Sequence, residues 1–167
     1  LTLSLIVSEA WALILFTFAP LIIRFYKLEP HIAANAINYL RIVSTAFPFV
    51  FMSAAFTGIF NAGGRSKIPF TINGIGLVAN MILDPLFIFV FDWKTDGAAL
   101  ATWLAQACVF GLFIYQLKVK KILWEDFRFF GKLKKVYTTR IIKIGLPVAT
   151  LNTLFAFVNM FLGRTAS

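Results

Sequence analysis

Apolar residues in this chain come in long unbroken runs, and short polar clusters separate them. Five runs are long enough to cross about 30 Å of hydrocarbon, which takes roughly 20 helical residues: residues 1–23, 37–60, 68–91, 97–117 and 144–163, the last only just reaching that length. Helices are the expected form, because backbone in lipid must satisfy its own hydrogen bonds. Barrel strands would alternate polar and apolar positions over about ten residues, and these runs do not. Pro20 falls near the end of the first run, and Pro48 predicts a kink in the second. The pattern predicts an all-α, polytopic transmembrane helical bundle.

The polar connections orient the spans. Residues 61–67 carry Arg65 and Lys67 and no acid, and residues 118–143 are strongly basic, with Glu125 and Asp126 the only acids. Two spans separate these connections, so both lie on one side, and the excess of Lys and Arg predicts that side to be cytoplasmic. Residues 24–35 and 92–96 then face outward. Gly63-Gly64 and Pro69 break the chain between the second and third runs. Trp93 marks the outer interface, and Tyr115 and Trp124 mark the inner one. Leu123, Phe127 and Phe130 recur at helical spacing, so the basic connector reads either as an amphipathic surface helix or as a solvated linker.

Composition agrees. Hydrophobic residues make up 60% and charged residues 14%, and mean hydropathy is +0.84, against about 45–50% apolar and about 25% charged in soluble domains. The net charge of +9 would raise the question of nucleic acid in a soluble protein. Here the cations sit in short connections beside apolar runs, and no reading module is present, so the partner surface is membrane lipid and nucleic acid is excluded. The lone Cys108 allows no intrachain disulfide and reads as a buried inert thiol. The single His31 reads as a loop residue without the three or four converging ligands of a transition-metal site. No cofactor is implied. No Walker-type loop, GxSxG or HExxH motif occurs, which argues against an enzyme. No signal-peptide pattern opens the chain. It begins without Met and stops at Ser167 directly after an apolar run, as expected of a segment of something longer.

Asp84 is the polar residue that most needs a reason. It lies within the third run, where an acid costs about 2.5–3.5 kcal/mol on insertion scales and normally faces a bundle interior or a watery cavity. The alternative is hydration at the outer interface, roughly 10 Å of helix rise away. Asn80 lies one turn before it, and Asn73 falls on nearly the same helix face, with Gly76 beside that stripe to admit a neighbouring helix. Pro85 donates no hydrogen bond and can release the carbonyl of Met81. Carboxylate, amide and carbonyl oxygens are hard ligands, suited to Na⁺ or a proton rather than a soft metal. Interhelical hydrogen bonding is the competing account of the asparagines, and Asn73 taken alone fits it.

Other polar positions carry weaker signals. The fourth run is rich in Gly and Ala, and Ala98, Thr102 and Gln106 form one mildly polar edge on it, as either core packing or a site would. Glu9 in the first run is either a proton-handling group or a snorkelling or paired acid. Arg41, read as lying in the first turn of the second run, can snorkel outward.

These residues now resemble a known family. Tyr39-Leu40-Arg41-Ile42 followed by Gly58-Ile59-Phe60-Asn61-Ala62-Gly63-Gly64-Arg65-Ser66-Lys67-Ile68-Pro69 resembles the fourth helix and following loop of MATE (multidrug and toxic compound extrusion) transporters. Asn80-Met81-Ile82-Leu83-Asp84-Pro85-Leu86 resembles their fifth helix, Asp96-Gly97-Ala98-Ala99-Leu100-Ala101-Thr102 the start of the sixth, and Lys143-Ile144-Gly145-Leu146-Pro147 the entry to the seventh.

The resemblance implies part of a twelve-helix, two-lobe antiporter in the cell membrane. Residues 1–117 would supply four helices of the amino-terminal lobe. Residues 118–143 would be a cytoplasmic connector, and 144–167 a truncated first helix of the carboxy-terminal lobe. It implies secondary active efflux of organic cations or drugs against Na⁺ or H⁺ by alternating access, with the remaining helices of the full-length transporter as partners. The cation site it implies maps onto Asn80, Asp84, the carbonyl of Ala98 and Thr102, with Asn73, Gln106 and Glu9 as secondary candidates, and no other metal. Its helix-one Asp lies outside this sequence. A Glu found in helix seven of one bacterial branch is Phe155 here, which argues against a second site of that kind. Two alternatives remain at this stage. One is a flippase for lipid-linked precursors in the same superfamily, which would call for a cationic cavity lining that only Arg41 could begin to supply. The other is a non-transporting membrane assembly subunit.

Overall fold

The computed structural model describes residues 1–118 and 135–166, and every element among them is helical. In chain order these are α1 (Thr2–Phe25), α2 (Pro30–Ser44), α3 (Phe47–Ala62), α4 (Lys67–Pro85), a π-helical segment (Leu86–Val90), α5 (Lys94–Lys118) and α6 (Lys135–Ala166). Four helices are long and apolar enough to cross a membrane, or five if the bent α2–α3 pair is one span. The protein is a multi-pass membrane protein. Its chain divides into two compact units, Leu1–Phe129 and Phe130–Ser167.

The second apolar run is not one kinked helix. It begins earlier, at Pro30, whose fixed φ and missing N–H suit the first helical position. It stops at Ser44 and restarts at Phe47, with a 46° bend. Pro48 explains the stop, since it offers no N–H to the Ser44 carbonyl and its ring crowds that oxygen. In the first turn of α3 the same proline is harmless. Two hydroxyls cover the carbonyls at the break: Ser44 Oγ donates to the Arg41 carbonyl at 2.7 Å and Thr45 Oγ1 to that of Ile42 at 2.6 Å. Two placements change with this boundary. His31 lies in the first turn of α2 rather than in a loop, and Arg41 lies in the last turn rather than the first. There the Arg41 guanidinium sits 5.4 Å from the ring centre of Phe16, and its Nε is buried without a hydrogen-bond partner.

Gly64 makes the turn from α3 to α4. Its φ of 69° is one that residues with a Cβ rarely adopt, and beyond it the Arg65 N–H returns to the Phe60 carbonyl at 2.9 Å. Pro69 falls in the first turn of α4, so it starts that helix rather than breaking it. At the other end Pro85 leaves a donor out of the ladder. Leu86 bonds the carbonyls of Ile82 and Leu83, and the ladder then slips to the wider π spacing, with Phe91 N–H on the Leu86 carbonyl at 3.1 Å. Trp93 N–H caps the Phe87 carbonyl at 3.1 Å, and its ring stacks on Phe87 at 5.4 Å.

The core of the first unit lies where α3, α4 and α5 meet. Met52, Phe56, Phe60, Ile72, Val109, Phe113 and Leu117 are buried there. Phe113 lies 5.6 Å from Phe56 and 5.9 Å from Phe60, ring centre to centre. Gly97, Ala99, Ala101 and Ala105 form a buried small-residue face on α5, which suits a membrane bundle, where close contact rather than water exclusion holds helices together. α4 packs extensively on α5 and only lightly on α3. A Cβ at Gly76 would overlap Val109 Cγ2, and one at Gly97 would stand 2.8 Å from the Phe87 carbonyl oxygen. Cys108 on α5 is exposed, not buried as its apolar surroundings suggested.

In the second unit, α6 is one helix that begins at Lys135, inside the stretch read as connector, and carries Pro147 within it. Its apolar window, Thr138–Asn159, is unburied by the chain itself. Trp124 and the Leu123, Phe127 and Phe130 stripe lie outside the described residues.

Candidate functional site

A cavity of about 260 Å³ opens between α4 and α5. Four polar side chains line it: Asn73 and Asn80 from α4, Thr102 and Gln106 from α5, with Gly76 and Val109 where the helices touch. The α4 stripe places its amides on one side because successive turns of a helix stack side chains on one face. The glycine lets α5 come close enough to set its own polar edge opposite.

Asp84 and Ala98 join this group through hydrogen bonds. Asn80 Nδ2 donates to Asp84 Oδ1 at 3.4 Å, one turn along α4, and Asp84 is half-buried. Thr102 Oγ1 donates to the Ala98 carbonyl at 3.0 Å, one turn along α5. Asn80 and Thr102 line the cavity, and each hydrogen-bonds a group one turn away that does not, the Asp84 carboxylate on α4 and the Ala98 carbonyl on α5. The oxygens of this group are hard donors suited to a small cation. In its present orientation Asn80 offers its NH₂ to the carboxylate, and a half-turn about χ2 would offer its oxygen. Thr102 keeps its hydroxyl lone pairs available while donating to Ala98.

Two secondary candidates separate. Gln106 lines the cavity. Asn73 lines it too and also donates through Nδ2 to Thr57 Oγ1 on α3 at 3.5 Å, so it makes the interhelical contact its residue type suggested. The structure does not bring Glu9 here. That acid lines a different cavity, of about 360 Å³, with Ser44, Thr45 and Pro48. Among the described residues, no three or more His, Cys, Asp or Glu side chains gather as a metal site.

The sequence reading missed Thr57. Its signal was its place one turn before Asn61 within an apolar helix, a polar pair easily dismissed beside the loop. Both line a second cavity, of about 420 Å³, shared with Ser66, Lys67, Pro69 and Asn73.

Comparison with known proteins gives the chain's relatives. Multidrug export protein MepA of Staphylococcus aureus is 31% identical over 130 residues, which is 75% of this chain and 28% of MepA. Protein DETOXIFICATION 42 of Arabidopsis thaliana is 38% identical over 80 residues, 48% of this chain and 16% of that protein. The chain thus spans less than a third of the length of these relatives. A solved structure of MATE in the bent conformation superposes with a TM-score of 0.85 at 24% identity, covering 96% of this chain and 36% of the other. An inward-facing multidrug resistance MATE family transporter of the MOP superfamily gives 0.77 at 24% identity over 87% of this chain and 33% of that one. Both likenesses are of fold. The MatE family model matches residues 1–86, more than half of the 167, and the chain belongs to the MatE family, a family of membrane transporters and not of enzymes.

Proposed function

We propose that this chain supplies the cation-coupling part of an antiporter that expels organic cations or drugs in exchange for Na⁺ or H⁺. The observation that carries this reading is the pair of hydrogen bonds, Asn80 to Asp84 on α4 and Thr102 to Ala98 on α5, whose Asn80 and Thr102 members line one cavity. A carboxylate set in an apolar helix needs compensation. Either a proton or a small cation held by Asp84, with the oxygens of Asn80, Thr102 and Ala98 within the same group, supplies it. The names of the relatives, multidrug export and detoxification, agree with an organic substrate.

Coupling requires the cation to bind two conformations with different affinity. Asn80 is suited to report occupancy, because its amide can turn its nitrogen to Asp84 when no cation is held there and its oxygen toward a cation that is. The basic connections, including 61–67, lie on the cytoplasmic side in this reading.

Asp84→Asn in the full-length transporter tests it. Coupled efflux should be lost while membrane insertion and expression stay unchanged. Full cation-driven efflux by that variant would overturn the assignment.

A further inference from the structure

The two cavities along α4 share one residue, Asn73. On one side lies the Asn80–Thr102 cavity, and on the other the cavity that opens among Asn61, Ser66 and Lys67 at the turn between α3 and α4. Their volumes of about 260 and 420 Å³ each hold several waters at about 30 Å³ apiece. Polar groups therefore line α4 over roughly 20 Å of helix rise, from Lys67 at its start to Asn80.

We propose that the Asn73–Thr57 contact is a gate on a hydrated route by which the coupling cation passes between the Asn80–Thr102 cavity and the 61–67 face. The proposal rests on the cation-site reading above and adds the path to it.

Three features point to a gate rather than a fixed strut. The bond is 3.5 Å long, at the outer limit of a hydrogen bond, so water can replace it with little loss. Asn73 is exposed and Thr57 only half-buried. The contact also lies on the lightly packed α3–α4 seam, not on the tight α4–α5 seam where Gly76 meets Val109. A path that opens by parting α3 from α4 leaves the hydrogen bonds at Asn80 and Thr102 undisturbed.

The route's lining sets polar groups beside Pro69 and Phe70. Asn61, Ser66, Thr57 and Asn73 supply neutral oxygens that can replace water around a small cation step by step. Lys67 at the mouth raises the local potential, so a cation is passed on there rather than held. The resting place is the carboxylate end of the track, at Asp84.

The test uses the full-length transporter in membrane vesicles, without native cysteines (Cys108→Ser included) and with single cysteines placed in turn. A membrane-impermeant cationic thiosulfonate is applied from the 61–67 side. Asn73→Cys and Asn61→Cys should react at least about tenfold faster than Val78→Cys, an exposed α4 position lining neither cavity, the barrier difference between a watery and a lipid-facing thiol being above about 1.4 kcal/mol. Asn73→Leu, which keeps the size and removes the polar group, should slow cation-driven efflux about tenfold. Thr57→Val, which breaks the same contact from a residue outside the Asn80–Thr102 cavity, should leave the concentration of NaCl, or the pH, that gives half-maximal thermal stabilisation of the purified protein unchanged. Equal labelling of Asn73→Cys and Val78→Cys, or efflux by Asn73→Leu at the parental rate, would overturn the route. The two readings fail separately: Asp84→Asn with intact coupling removes the site, whereas an unreactive Asn73→Cys in a protein that still loses coupling at Asp84 removes only the path.

Discussion

Asn80 and Asp84 face each other across one turn of α4, with the amide nitrogen of the first 3.4 Å from a carboxylate oxygen of the second. The pair is half-buried, so its hydrogen bond is not freely replaced by water. At 3.4 Å the bond is long, and it contributes at most about the 1 kcal/mol of an ordinary hydrogen bond. Asn80→Leu removes both the donor and the oxygen that a half-turn would present. The expected result is a loss of cation affinity of about tenfold or more, read as the shift in NaCl concentration or pH that stabilises the purified transporter against heat. An unchanged midpoint would show that the amide has no part in cation binding.

Gly76 and Val109 set the separation of α4 and α5. Gly76→Val forces an overpacked contact, expected to destabilise by about 1–3 kcal/mol and to lower the Tm in detergent. Adding Val109→Ala should restore much of that loss, because the two changes share one contact. Strictly additive effects would mean that the helices do not meet there.

Pro85 interrupts the α4 ladder just ahead of the π-helical segment. Pro85→Ala returns an N–H to the position that can reach the Met81 carbonyl and removes a residue that disfavours helix interiors by about 3 kcal/mol. The helix should continue with regular α spacing, raising the Tm, while moving the Phe87 carbonyl away from Gly97 and Trp93. Transport should fall as stability rises. A more stable variant with undiminished efflux would separate the π segment from function.

The orientation of the spans can be read with the same labelling chemistry. Ser66→Cys, in the turn before α4, and His31→Cys, in the first turn of α2, are both exposed positions. An impermeant reagent applied to intact cells should modify His31→Cys and spare Ser66→Cys, with the reverse in inside-out vesicles. Labelling of both from the same side would show that α2 and α3 do not together make one crossing.

The helical, multi-pass character of the chain and the polar stripe on α4 were legible because lipid demands long apolar runs and makes every exception conspicuous. Asn80 and Thr102 line one cavity, a grouping that the family resemblance implied and that the polar edges alone left open. What was hidden depends on local geometry that composition does not encode. Pro48 is compatible with a bend inside one helix or with the first turn of a new one, and only the coordinates distinguish them. The placement of Arg41 went wrong with that boundary, since α2 begins in a polar stretch that hydropathy leaves outside the span. The early start of α6 at Lys135 was concealed in the same way, because Lys and Arg are good helix formers that a membrane scale scores as loop. Glu9 was a reasonable candidate by residue type, but the packing of α1 beside α2 and α3 carries it to another cavity.

The two glycine contacts, Gly76 with Val109 and Gly97 with the Phe87 carbonyl, hold α5 against α4 near its middle and against the π-helical segment at its start. Close contact at both places leaves no room for a side chain between the helices there, so separating them would first have to break the packing around Gly76 and Gly97.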